Sequence, residues 1–253
     1  MRTRHNAPTG TVSDKRVAVV TGSSSGIGAA VARRLATEEM RVIVNSARSV
    51  DAGRRLAESL PEAIYFQADV SIEVEAGRLV DAAVEAYGRL DVLVNNAGRT
   101  RMIPHHDLAA VTPEVWREIL ELNVIGTWQT AVAAMPHLRE SGAGCIVNIS
   151  SIAGSRPAGS SIPYAVSKAA IEHMTRLLAN TVGPEVRVNA VAPGLIATPW
   201  TKDFTQIAEK VRAQAPLRRV GLPDDVAEAV LCLTNSTYVT GQVLAVDGGV
   251  HLI

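Results

Sequence analysis

Short apolar runs alternate along this chain with longer stretches in which apolar residues return every three or four positions. RVAVVTG (16–22) has the run of a buried strand, and a helix from about Ile27 to Glu39 follows it. RVIVNS (41–46) predicts a second strand, SVDAGRRLAESL (49–60) a helix and AIYFQADV (63–70) a third strand. SIEVEAGRLVDAAVEAYG (71–88) predicts a helix and LDVLVNNAG (90–98) a fourth strand. A long helix is expected over about Pro113 to Arg139, with Thr112 and Pro113 as N-cap and first helical residue. GCIVNISS (144–151) is a fifth strand, YAVSKAAIEHMTRLLANTVG (164–183) a helix and VRVNAVAPG (186–194) a sixth strand. After a segment without clear periodicity come a helix near Asp224 to Leu233 and a last strand in QVLAVDGG (242–249). Repeated βα units whose strands are apolar throughout, and not alternating, give an α/β fold. Its parallel, doubly wound sheet of about seven strands is covered by helices on both faces.

Composition narrows this picture. The chain has 253 residues, and nothing in it resembles a linker or repeat, so residues 15–253 are expected to form one domain. Residues 1–14, with Pro8, Gly10 and many polar positions, read as a loose leader. Formal net charge is zero, which gives no electrostatic case for nucleic acid or for an anionic membrane. No apolar run reaches the roughly 20 residues of a membrane span, and the N-terminus lacks the apolar core of a secretory signal. Cys145 and Cys232 stand far apart in apolar surroundings and read as reduced thiols. A cytoplasmic location is expected.

Two stretches carry chemistry. TGSSSGIG (21–28) places Gly22, Gly26 and Gly28 between a strand end and a helix start. Glycines there allow a tight turn, close approach of backbone to a pyrophosphate and close helix–strand packing. The helix N-terminus adds free N–H groups and the positive end of a dipole. In SSIAGSRPAGSSIPYAVSK (150–168), Ser151 precedes Tyr164 by thirteen residues and Lys168 follows it by four. Moving a hydride to or from a carbon that bears oxygen requires a proton to move on the oxygen. A phenol with pKa near 10 is a poor acid–base at neutral pH. A lysine one helical turn later on the same face would favour its phenolate. Strand alternation turns Ser150 away and leaves Ser151 facing the tyrosine.

These two stretches do not stand alone. DV (69–70), NNAG (95–98), Asn123 in LNV, PG (193–194) and VTGQVLAVDGG (239–249) complete a set of motifs running almost the length of the chain. Together they resemble the single-domain branch of the short-chain dehydrogenase/reductase family, with its Rossmann-like fold. The wording of RVNAVAPG and APLRRVGLPDDVAEAVLCL is similar to that of 3-oxoacyl carrier-protein reductases, but many reductases share it, so it selects no substrate. The resemblance implies an oxidoreductase acting on a ketone or secondary alcohol. Tyr164 would be its acid–base, Ser151 the stabiliser of the substrate oxygen, and Lys168 a holder of the nicotinamide ribose. Asn123 would maintain a water-linked proton relay to Lys168. Asp69 and Val70 would frame the adenine and Asn95, Ala97 and Gly98 the adenosine side. Ile27 would lie in the glycine-rich turn, and Pro193, Gly194, Ile196 and Thr198 at the nicotinamide end. Asp69 could instead simply cap the following helix.

Cofactor choice turns on the end of the second strand, where a carboxylate usually reads the ribose hydroxyls of NAD(H). Here Ser46 stands there with Arg48 two residues on, and Ser23, Ser24 and Ser25 line the first turn. A guanidinium and hydroxyls suit a 2′-phosphate, so NADP(H) is favoured over NAD(H). Against this, Ser25 stands where many NADP-binding relatives carry a basic residue, and Arg48 also fits a solvated surface position. An NAD-dependent alcohol dehydrogenase is the alternative, and a nucleotide-binding regulator without turnover would have lost the serine, tyrosine or lysine.

The substrate is expected to be a small carbonyl or alcohol compound. Its pocket would be lined from 99–108, 152–163 and 195–216, which hold Arg99, Arg101, His105, His106, Arg156, Trp200 and Phe204. Two of Arg99, Arg101 and Arg156 converging would attract a substrate carboxylate or phosphate. The adjacent His105 and His106 have no third ligand at suitable spacing, and no metal is expected. Trp200 fits either a pocket wall or an oligomer contact. A homotetramer is implied by the resemblance, and AVAAM and AAIEHMTRLLA are apolar around more of their helices than one sheet-facing stripe needs.

Overall fold

A computed structural model describes residues 15–253; the expected leader, 1–14, lies outside the described residues. Strands β1 (Val17–Val20), β2 (Arg41–Ser46), β3 (Ala63–Gln67), β4 (Val92–Asn95), β5 (Gly144–Ile149), β6 (Val186–Pro193) and β7 (Val243–Val246) form one sheet in the order β3-β2-β1-β4-β5-β6-β7. Every pairing is parallel. The helices are α1 (Gly26–Thr37), α2 (Val50–Glu58), α3 (Glu73–Tyr87), α4 (Pro113–Leu120), α5 (Thr127–Glu140), α6 (Ile162–Val182), α7 (Thr205–Gln214) and α8 (Pro223–Asn235).

The unbroken apolar strands divide their side chains between two cores. Ala18 and Val20 of β1 pack with Val31 and Leu35 of α1 and with Val226 and Val230 of α8. Val17 and Val19 face the other way, toward Leu79 and Val80 of α3, Ala131 and Leu138 of α5, and Val182 of α6. Truncating a fully buried side chain such as Leu93 in such a layer costs about 2–5 kcal/mol.

Two findings differ from the sequence reading. The long helix is not regular: Glu121–Gly126 form a π-helical segment between α4 and α5. A residue is in effect added to the turn there, and Gly126 lets it press against the chain opposite. A Cβ on Gly126 would lie 3.0 Å from the Val70 carbonyl oxygen. The segment without clear periodicity contains α7, a helix with no buried residue. Among the described residues no helix is long and apolar enough to cross a membrane.

The order reverses at β1, which pairs with β2 on one side and β4 on the other. Open parallel sheets bind ligands in the crevice outside the carboxyl ends of the strands at such a switch point.

Candidate active site

A cleft of about 1310 Å³ opens at that place. Single small-molecule pockets usually measure about 300–1,000 Å³, so there is room for a dinucleotide and a second molecule. Six cationic side chains line it (Arg48, Arg99, Arg156, Lys168, Lys210 and Arg218) against one carboxylate, Asp69. That balance favours an anionic ligand.

The β1–α1 turn is shaped by what it must approach. Gly22 has φ of +62°, and a Cβ there would lie 2.9 Å from Ala97 Cα; one on Gly28 would meet Asn96 Nδ2 at 2.5 Å. Thr21 Oγ1 accepts from the N–H groups of Asn96 and Ala97, both at 2.9 Å. Asn96 Nδ2 donates back to the carbonyls of Thr21 and Gly22. Asn45 Oδ1 accepts from Gly22 N at 3.1 Å, and Asn45 Nδ2 donates to the carbonyls of Phe66 and Ala68. The first turn of α1 carries no acidic residue, and its N-cap, Ser25, makes no side-chain cap bond. Free N–H groups and a glycine-shaped cradle fit a pyrophosphate.

Gly22, Ser25, Gly26 and Ile27 line the cleft, as do Ser46, Arg48, Asp69, Val70, Ala97 and Gly98. Four residues expected around the nucleotide do not. Gly28 is buried in the packing just described, and Ser24 lies outside the lining. Ser23 is a fully buried staple whose hydroxyl donates to the Val20 carbonyl and accepts from Asn45 N. Asn95 points into the interior: Nδ2 donates to Asn148 Oδ1 at 3.0 Å and Oδ1 accepts from Thr130 Oγ1 at 2.6 Å. Asn148 continues to Thr175 Oγ1 at 2.9 Å, so a buried polar ladder stitches α5 through β4 and β5 to α6. The neighbour Asn96 lines the cleft instead. Asn45 and Asn96 were not singled out from sequence; only their place at strand ends hinted at them. Asp69 does not cap α3, whose N-cap is Ile72. It lines the cleft, and its Oδ1 accepts from Ser71 N and Ser71 Oγ in the turn before α3.

At the other end Pro193, Gly194, Ile196 and Thr198 line the cleft beside Ser151, Tyr164 and Lys168. Ser151 caps the short helical turn Ile152–Gly154, accepting from Ala153 N at 3.2 Å. Ser150 faces the other way, as alternation requires, donating to the Lys168 carbonyl and standing 3.1 Å from Glu172 Oε1. Tyr164 and Lys168 share a face of α6. Lys168 Nζ stands 5.6 Å from the Tyr164 ring centre and donates to the Ile149 carbonyl at 2.8 Å. Here the expectation about the phenol is corrected. Burial pushes Tyr164 up to about 12, and only its interaction with Ser151 pulls downward. The lysine is aimed at a carbonyl and not at the phenol oxygen, and burial lowers it to about 8. Glu172, one turn beyond Lys168, is a buried carboxyl raised by its burial.

Asn123 lies in the π-helical segment, fully buried and outside the lining. Its Oδ1 accepts from Arg99 N at 2.8 Å; its Nδ2 donates to Arg99 O and to Ser167 Oγ, both at 3.0 Å. Its side chain bonds these groups and not Lys168, yet both it and Lys168 Nζ converge on Gly98, at 3.4 and 3.8 Å from where a Cβ would be.

The three arginines do not gather into an anion clamp. Arg101 pairs with Glu118 at 2.8 Å on the surface, and Arg156 donates to the carbonyls of Val250 and Ile253. Arg99 and Arg156 both line the cleft, and among the described residues Arg99 forms no ion pair while Arg156 is tied to the C-terminal segment. Trp200 is a pocket wall: it lines the cleft edge-on to Tyr164, ring centres 6.2 Å apart, with Phe204 nearby in the lining. His105 and His106 lie outside the lining. Ile207, Lys210 and Val211 of α7 fall within the expected lining segment 195–216, whereas Val250 and Ile253 of the C-terminal segment are lining residues that the sequence pattern did not indicate.

A dinucleotide-sized crevice at a topological switch point, with a phenol, an ammonium and a hydroxyl at one end, defines a nucleotide-dependent oxidoreductase. The family described as enoyl-(acyl carrier protein) reductase matches residues 22–251. The chain is 72% identical over 240 residues to "Granaticin polyketide synthase putative ketoacyl reductase 2" of Streptomyces violaceoruber, covering 94% of this chain and 96% of that one. It is 37% identical to the 3-oxoacyl-[acyl-carrier-protein] reductase FabG of Thermotoga maritima, covering 92% and 97% of the two chains. The crystal structure of levodione reductase superposes with a TM-score of 0.86 at 30% identity, covering 92% of this chain and 96% of that one. The chain belongs to the short-chain dehydrogenase/reductase family, whose members use a nicotinamide cofactor, and is an oxidoreductase.

Proposed function

We propose that this protein is an NADPH-dependent ketoacyl reductase, converting a ketone to a secondary alcohol with Tyr164 as the acid. The observation that carries the reading is the half-buried Tyr164 phenol, set beside Lys168 and Ser151 in a cationic cleft and pushed by desolvation toward its protonated form. Ketone reduction needs a proton delivered to oxygen as hydride reaches carbon, and a phenol kept protonated is suited to that direction. The cofactor, when bound, supplies the hydride. Ser151 hydrogen-bonds the substrate oxygen and stabilises its developing charge. Lys168, close to Gly98 and fixed by Ile149, holds the ribose and keeps positive charge beside the phenolate that proton delivery leaves. Asn123 is a positioning residue, fixing the Arg99 main chain and Ser167 around Lys168 and supporting the proton path that returns a proton to Tyr164.

The ketoacyl assignment draws on the 72% identical relative and on the apolar wall of Met102, Trp200, Phe204 and Ile207. NADP(H) is favoured by Ser46 and by Arg48, which lines the cleft and, among the described residues, pairs with no carboxylate. Residues 15–253 act as one cofactor-binding and catalytic domain, in a homotetramer. The support for assembly is an exposed apolar row, Ile125, Trp128 and Val132, with Val166 and Leu177 of α6 also exposed. We read the protein as cytoplasmic, its two cysteines free. The test is NADPH absorbance loss with β-ketoacyl thioesters, keto acids, neutral diketones and sugar ketones. Ketoacyl thioesters are expected to be turned over with the highest kcat/KM; a sugar ketone outperforming all of them overturns the substrate class.

A further inference from the structure

The end of β2 is braced from β3 by a side chain that the cofactor reading does not use. Tyr65 Oη lies 2.9 Å from Ser46 Oγ, either atom able to donate, and 3.3 Å from the Ser46 carbonyl oxygen, to which it donates. Its ring is seated on Gly53 of α2, where a Cβ would fall 2.2 Å from Tyr65 Cε2. Glycine is therefore required beneath the ring, and the phenol is held in place. Gln67 Nε2 donates to the Ala47 carbonyl at 2.9 Å and fixes the next residue of the same turn. Ser46 is buried but lines the cleft, so its hydroxyl has two neighbours to satisfy, the phenol behind it and the ligand in front.

A hydroxyl has one proton and two lone pairs. With Tyr65 donating to Ser46 Oγ, the serine proton is free to point into the cleft. With Ser46 donating to Tyr65 Oη, the phenol proton turns to the Ser46 carbonyl and the serine offers lone pairs to the cleft. The first arrangement suits the acceptor-only oxygens of a 2′-phosphate and the second suits a 2′-hydroxyl that donates. We infer that Tyr65 is a positioning residue that lets Ser46 present either polarity, so this site binds both NADPH and NADH, with Arg48 adding the preference for the phosphate. The inference rests on the reading of the cleft as a nicotinamide dinucleotide site.

Tyr65→Phe keeps the ring and removes the exchange. Between Ser46 and a 2′-hydroxyl there are then two protons and one mutual hydrogen bond, so whichever group donates, the other's proton loses the outlet that Tyr65 gave; a 2′-phosphate, which only accepts, takes the serine proton and leaves none over. An unmatched buried donor is costly, so the NADH Kd is expected to rise about fivefold or more and the NADPH Kd by less than about twofold. Fluorescence titration of both nucleotides reads this without turnover, with Arg48→Ala titrated in parallel. Both Kd values rising equally in Tyr65→Phe, or NADPH suffering more, while Arg48→Ala still weakens NADPH alone, overturns the inference and leaves the cofactor reading standing. Failure of wild-type protein to bind either nucleotide saturably overturns the cofactor reading and the inference with it. Should Tyr65→Phe fold poorly, Ser46→Ala leaves the ring in its seat; it is expected to weaken both nucleotides, and weakening of one alone overturns the inference.

Discussion

The Lys168 ammonium lies 5.6 Å from the centre of the Tyr164 ring; the lysine is buried and the tyrosine half-buried where the cleft meets α6. Burial drives them in opposite directions, the phenol up to about 12 and the ammonium down to about 8. Lys168 thus releases its proton in the folded protein well before it would in the unfolded chain, whose lysines titrate near 10.5. Between pH 8 and 10 the unfolded chain binds more protons, so stability should rise with pH through that window. Tyr164 acts the other way only above its unfolded value of 10, where the folded protein retains the proton. Melting curves of cofactor-free protein from pH 7 to 10 should therefore show wild type gaining on Lys168→Met by on the order of 2–3 kcal/mol. A constant difference across that range would contradict the buried, depressed lysine.

Replacing the phenol tests the proposed chemistry. Tyr164→Phe removes the proton donor and leaves the ring against Trp200. Positioned acid catalysis contributes about 10²–10⁴-fold, so kcat should fall by at least about 100-fold while NADPH binding, measured by fluorescence, stays nearly unchanged. A variant keeping more than about a tenth of wild-type kcat would remove Tyr164 from the role.

The strands were legible because a parallel strand covered on both faces is apolar without interruption, and β1 and β2 show this in VAVV and RVIVNS. Ser151, Tyr164 and Lys168 were legible because their spacing is set by one strand end and one helical turn. Other features left no mark at that level. Nothing in ELNVIG distinguishes a π-helical turn from a regular one, since the added residue answers to packing against Val70. Asn95 and Asn96 are the same residue type side by side, and only strand alternation inside the folded sheet sends one to a buried ladder and the other to the cleft. Arg156 looked available for a substrate because its partners, the carbonyls of Val250 and Ile253, lie almost a hundred residues away along the chain.

The inward turn of Asn95 separates stability from binding. Asn95→Ala leaves Asn148 Oδ1 without its donor within the buried layer, while Thr130 Oγ1 falls back on the carbonyls of Gly126 and Thr127. An unmatched buried polar group costs about 1–3 kcal/mol, so urea unfolding should report a loss of that size. NADPH affinity should change by less than about twofold, because the side chain does not face the cleft. A large loss of NADPH affinity with unchanged stability would place Asn95 on the cofactor after all.

The exposed row Ile125, Trp128 and Val132 has the i, i+3, i+7 spacing of one helix face, and it faces away from the core that holds Ala131 and Leu138. Trp128 is 47% exposed and Val132 50%, and α6 adds Leu177 at 57%. Apolar side chains arranged along one face mark a surface that associates, and a second copy of the chain can bury both rows together. Light scattering of wild-type protein at micromolar concentration should give the mass of a tetramer. The double variant Trp128→Glu, Val132→Glu places charge in the centre of that face and should lower the mass to that of a smaller species. Because neither side chain lines the cleft, NADPH binding by the dissociated protein should persist. Wild type scattering as a monomer, or a double variant that stays tetrameric, would show that this face is not the one on which the protein assembles.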